Sequence, residues 1–256
     1  MLQFILIPSE SLYNDVLELN LKSGALVMIQ QSLSFAVSDQ VKALGWNGIG
    51  LEITGLQNKE SDPQFERLKN ETIQKILGTL SPELLKTDPL LKGFKQLHEK
   101  IKHSNRETIA ASENLLSFLL KTGKIPHINL LVDIYNLVSV ETRLALGAHD
   151  IERISGNVQI RLLDGSENFR PIGASEPKKV RPGDYAYIDD GNDILCWLEV
   201  KQVEKTKVTI DTHDCFYIIQ GNYATSTEYL INAANRLVSL TKQFCGGQEK
   251  MLYIAD

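Results

Sequence analysis

The sequence predicts an α+β fold: a helix-rich first half, then a mixed, largely antiparallel sheet in the second half with a C-terminal helix packed on it. Three observations carry this. Residues 61–123 return apolar side chains at three- and four-residue steps, residues 156–220 break into short β-branched and aromatic runs, and residues 229–244 are helical again. The brief connections of the second half favour antiparallel neighbours.

At 256 residues the chain is long enough for either of two organisations. One is an N-terminal α/β segment, 1–93, packed on a core domain, 94–256; the other is a single continuous domain. A hydrophobic content of 43% against 23% charged residues excludes disorder for most of the chain. The opening MLQFILIP lacks a basic flank and meets Pro8 too early for a signal peptide. No run reaches the ~18 to 20 apolar residues that span a bilayer, so no membrane partner and a cytoplasmic location are expected. Cys196, Cys215 and Cys245 form no CxxC pair and read as buried free thiols. A net charge of -5 argues against wholesale nucleic-acid binding, so no DNA partner is expected, while a local basic face stays open.

In chain order, residues 2–7 and 25–30 read as short buried strands around a helical turn at 12–19. Gly45, Gly48 and Gly50 surround Trp46, but without phosphate-loop spacing they mark a turn into a strand at 51–56. Helices follow: Ser81-Pro82 and Asp88-Pro89 each pair a capping residue with proline at the first helical position. His98 and His103 are too far apart for an i,i+4 metal pair, and among Lys and Glu they read as solvated helix surface. A helix over 107–120 stops at Gly123. An apolar strand, 128–132, then ends at Asp133 and Asn136, and an amphipathic segment with Leu137, Val140, Leu144 and Leu146 follows, interrupted at Gly147. Short strands are expected at 158–163, 169–174, 185–190, 194–200, 207–211 and 215–220, before the terminal helix stopped by Gly246-Gly247.

The stretch LVDIYNLVSVETRLALGAHDIERISGNVQIR ties several residue types to fixed offsets: VD-x-x-N at Val132-Asp133 and Asn136, a downstream Asp150, and G-x-[IV]-x-[IV]-R from Gly156 to Arg161. It resembles the B3/B4 domain of the phenylalanyl-tRNA synthetase β-subunit, especially short proteins carrying that domain alone. The resemblance implies a B3/B4-like fold and an editing module that hydrolyses a tyrosine ester wrongly attached to the phenylalanine tRNA. Such chemistry positions the ester and a water and stabilises developing charge with fixed donors; it implies no metal and no cofactor.

The resemblance makes Asn136 the pocket asparagine, and its amide suits an ester or ribose hydroxyl; a helix N-cap is the alternative. Tyr135 stands where synthetases commonly carry threonine. Gly147 stands where bacterial synthetases have a pocket histidine, with His149 two residues later as ligand contact, general base or structural histidine. Asp133 and Asp150 read as an acid/base pair or as acceptors from turn amides or Arg161. Arg161 faces away from the core, available to phosphate or carboxylate. Thr212, Gln220 and Gly221 lie where the family reads the substrate hydroxyl with an acidic residue; here Gln220 is the polar group nearest that place. For tRNA the useful charges are Arg170, Lys178, Lys179, Arg181, Lys201, Lys205 and Lys207.

The expected function is tRNA binding with trans-acting deacylation of aminoacylated, misacylated tRNA. The alternatives are a non-catalytic RNA- or amino-acid-binding module and a hydrolase of an unrelated small molecule. No synthetase catalytic motif is present, so the chain is not expected to charge tRNA itself.

Overall fold

Helix ends follow the capping signals. The computed structural model describes residues 33–103 and 108–255, so the segments expected at 2–7, 12–19 and 25–30 lie outside the described residues. Helices α1 (Asp39–Ala43), α2 (Pro63–Leu77), α3 (Pro82–Thr87) and α4 (Pro89–Lys100) each begin after a side-chain cap. Asp88 accepts from Leu90 N at 3.0 Å and Leu91 N at 3.2 Å, and Ser81 Oγ accepts from Leu84 N at 3.1 Å. Helix α5 (Ala111–Thr122) closes on Gly123 in the left-handed region, φ 72°.

The next element corrects the sequence reading. Residues 128–132 are no strand: Asn129 caps helix α6 (Leu130–Thr142), accepting from Val132 N at 3.1 Å. This helix is buried on nearly every side, so its apolar run carries no amphipathic signature and imitates a buried strand. It ends earlier than the pattern suggests, at Arg143 with φ 61°, and Gly147 to Asp150 lie not in a turn but on strand β3 (Ala145–Asp150).

The remaining strands are β1 (Phe35–Val37), β2 (Trp46–Thr54), β4 (Val158–Leu162), β5 (Tyr185–Asp189), β6 (Ile194–Trp197), β7 (Lys201–Gln202), β8 (Cys215–Asn222) and β9 (Gln248–Ile254), with helix α7 (Thr227–Cys245) before β9. The expected single sheet is two. An antiparallel one runs β3-β8-β2-β9, and a mixed one runs β1-β4-β5-β6-β7 with only β1 and β4 parallel. Residues 169–174 and 207–211 form no strand; the first makes a single isolated bridge, from Pro171, which has no N–H for a ladder.

The antiparallel sheet is the middle layer. Along β8, Tyr217 and Ile219 pack into a core shared with Leu137 and Val138 of α6 and Leu237 and Leu240 of α7. Phe216 and Ile218 point the other way, into a second core with Val158, Ile160, Tyr185 and Tyr187 of the mixed sheet. The period of two in β8 thus feeds both interfaces. Gly50 lets them close: a Cβ there would sit 2.3 Å from Phe35 Cδ1. Among the described residues no helix is long and apolar enough to cross a membrane.

Candidate functional site

A cavity of about 330 Å³ is bounded by β3 and β8 of one sheet, β5 and β6 of the other, and helices α5 and α6. Asn136, His149 and Gln220 all line it, with Tyr135. Asn136 sits in the second turn of α6, so the N-cap alternative falls to Asn129. Among the buried residues of this helix it is half-buried, and it lines the cavity.

His149 reaches the cavity from β3. Its Nδ1 lies 2.8 Å from Thr206 Oγ1, and its buried Nε2 has no hydrogen-bond partner among the described residues. Burial pushes its pKa down to about 3, so the imidazole is neutral at physiological pH. It can orient a water or a substrate group; it is a weak general base.

Gln220 belongs to a buried network that the sequence reading missed. Its Nε2 donates to Glu199 Oε2 at 3.0 Å and Tyr185 Oη at 3.2 Å, and its Oε1 accepts from the Tyr187 hydroxyl. Tyr185 also donates to Glu199, Trp46 Nε1 donates to Tyr187 Oη at 3.2 Å, and His98 Nε2 pairs with Glu199 Oε1. Glu199 and Tyr187 line the cavity, so a carboxylate is present after all, on the loop after β6. Burial opposes charge on both His98 and Glu199, but their mutual attraction outweighs it, holding His98 above and Glu199 below the ordinary range. Two signals pointed here: tyrosines at i and i+2 in YAYID share one strand face, and the lone acid in ILCWLEV is a buried charge that needs a partner.

His98 is therefore not solvated surface. Neither is His103, whose Nε2 lies 2.8 Å from buried Asp184. All three cysteines are free and buried. Cys196 lines the cavity, but burial pushes its thiol far up, so it stays protonated and is a poor nucleophile.

Several predicted residues lie outside the cavity lining. Asp133 binds Lys69 Nζ at 3.0 Å, His127 Nδ1 at 2.7 Å and Ile128 N at 2.9 Å. Asp150 accepts from Thr212 Oγ1 at 2.9 Å and Glu152 N at 3.1 Å. With separate partners they are no acid/base pair, and neither takes Arg161, which binds Glu167 Oε1 at 2.6 Å and Asn192 Oδ1 at 2.8 Å. Gly221 lies beyond Gln220 on β8, against Thr225. Glu66, His127 and Asp133 have metal-ligand atoms close together, but the Lys69 ammonium lies 2.6 Å from Glu66 and 3.0 Å from Asp133, making this an ion-pair cluster.

The basic candidates divide. Arg181 is tied to Asp184, Lys205 to Asp189 and Asp193, and Lys207 to Glu204. Arg170 and Lys179 are exposed. Lys178 and Lys201 line a second cavity of about 380 Å³ that shares Ile172, Val200 and Gln202 with the first.

The profile of the B3/4 domain family matches residues 100–246. The chain belongs to the B3/4 domain family. The B3/4 match takes in α5, α6, Glu199 and the sheet residues of the cavity from β3 to β8; Trp46 and His98, which complete the buried network, precede it. Among solved structures the chain is similar to an N-terminal fragment of the phenylalanyl-tRNA synthetase β-subunit from Pyrococcus horikoshii, at 16% identity and a TM-score of 0.47. That similarity covers 86% of this chain and 51% of the fragment, so the chain spans about half the fragment's length. No curated protein matches.

Proposed function

We propose that this B3/4 protein is a trans-acting aminoacyl-tRNA deacylase, hydrolysing the ester that joins a mischarged amino acid to the terminal ribose. The observation that carries the reading is the convergence of Asn136, His149, Glu199 and Gln220 on one cavity. Its volume, about 330 Å³, lies at the lower end of the ~300 to 1,000 Å³ of ligand sites, the size for an aminoacyl group. Leu115, Leu146 and Ile218 give the cavity an apolar wall for a side chain. The Asn136 amide donates to the ester carbonyl, and neutral His149 Nε2 orients the attacking water. The water oxygen bonds to the carbonyl carbon, the carbon–oxygen bond to ribose breaks, and the departing ribose oxygen takes up the proton that the water gives up, releasing the free amino acid and a ribose hydroxyl.

The test is release of amino acid from a panel of misacylated tRNAs by the full chain. Asn136→Ala is expected to lower kcat by about 10²-fold, the usual loss when one preorganised donor is removed, with folding unchanged. No turnover on the whole panel removes the reading. One observation favours a second reading, a non-catalytic amino-acid-binding module: Glu199 and Gln220 spend their polar atoms on His98, Tyr185 and Tyr187. That module binds without cleaving.

A further inference from the structure

Cavity one has buried walls in Tyr135, His149, Tyr187, Glu199 and Gln220 and a more exposed rim that includes Asn114 and Ile172, whereas cavity two is lined by exposed Ile172, Gly173, Lys178 and Lys201. Among the residues common to both, Ile172 and Val200 are apolar and Gln202 carries an amide. Its backbone is fixed: Gln202 pairs with Cys196 across β6 and β7, and its carbonyl accepts from Ile172 N at 3.0 Å. Its side chain lies directly on Gly147, where a Cβ would come within 2.5 Å of Gln202 Nε2. The same amide acts on the buried Tyr135 hydroxyl from close by, favouring its charged form. A carboxamide has two donor hydrogens and two acceptor lone pairs, so a neighbour such as Tyr135 leaves capacity for a ligand.

Resting on the deacylase reading, we propose that Gln202 is a second donor, beside Asn136, that faces the scissile ester. The aminoacyl group fills the inner cavity and the ribose-phosphate of the terminal nucleotide fills the outer one, with the phosphate toward Lys178 and Lys201. The ester then crosses at Gln202, whose amide hydrogen-bonds its oxygen as charge builds there. Glycine at position 147 is what admits that amide. The Lys201 ammonium also lies 5.8 Å from the centroid of Trp197, a contact that limits its swing.

The experiment uses the full chain, a misacylated tRNA it cleaves, and an RNA of the same 3′ end carrying the amino acid through a non-hydrolysable amide. Gln202→Leu is expected to lower kcat about 10²-fold while binding of the amide-linked RNA and thermal stability stay near wild type, a split that a merely structural role does not produce. Gly147→Ala is expected to copy it, because the added methyl takes the place of the Gln202 amide. Paired Lys178→Ala and Lys201→Ala changes are expected to raise KM several-fold with kcat held, the signature of lost uniform binding. Wild-type cleavage with Gln202→Leu equally active overturns this inference and leaves the deacylase reading standing. Loss in Gln202→Leu with full activity in Gly147→Ala overturns the seating of the amide on Gly147. If the wild type cleaves nothing on the panel, both readings fall.

Discussion

Packed on β3 against Thr206, His149 is held neutral by its surroundings, and this has a measurable consequence for stability. Its folded pKa, about 3, lies below the ordinary histidine value near 6.5. In the unfolded chain the imidazole takes up a proton as pH falls through ~6.5, while the folded chain resists until about pH 3, so acid favours unfolding across that window. Replacing His149 by Gln removes the titrating group. The wild type is expected to lose about 2 kcal/mol relative to His149→Gln between pH ~7 and ~5, read from urea unfolding at each pH; a difference constant with pH contradicts the burial argument. Asn136 and His149 were legible in the sequence as polar residues beside apolar elements. Glu199 left a signal, a lone acid in an apolar run, but its partner His98 left none, because the two meet only when α4 is laid against the loop after β6, and no local pattern encodes that contact.

At the scale of elements, the carriage of Asn136 depends on α6, and α6 is tied to α2 by a buried ion pair. Lys69 and Asp133 have side chains only 7% and 1% exposed, so removing Asp133 leaves the buried Lys69 ammonium to the partly exposed Glu66 and takes the acceptor from His127 Nδ1 and Ile128 N. Asp133→Ala is expected to destabilise the fold by about 3 to 5 kcal/mol, and Lys69→Met combined with Asp133→Leu to recover much of it. Chemical denaturation of the three proteins checks this, and a double variant no more stable than Asp133→Ala counts against a cost dominated by the orphaned charge. Helices α2, α3 and α4 were readable because each follows a capping side chain and a proline, and α5 because its apolar residues recur up to Gly123; α1, at five residues, is too short to show a period. Helix α6 was misread because it has no solvent face to give it a period, and β9 was missed because its burial alternates poorly along an exposed edge. What went unread at this scale was pairing across the chain, such as β2 seated between β8 and β9.

Over the whole molecule, two packed sheets create the cavity, and on the deacylase reading the charge distribution sets how much of a tRNA it holds. The net charge is -5, and Arg181, Lys205 and Lys207 are spent on carboxylates of the chain itself. Lys178 and Lys201 line the outer cavity. A protein neutralising two phosphates of a single strand has a salt slope of about -1.4 in log–log form, far shallower than a surface gripping many phosphates. On the deacylase reading, recognition is therefore confined to the 3′ end, and the anticodon half contributes little. A misacylated acceptor-stem fragment is expected to be cleaved with kcat/KM within about threefold of that for full-length tRNA, a difference under ~1 kcal/mol, and both should show the same shallow dependence on salt. A fragment cleaved 10²-fold worse, or a slope approaching that of many contacts, places the main tRNA surface elsewhere on the chain and removes the outer cavity from its central role.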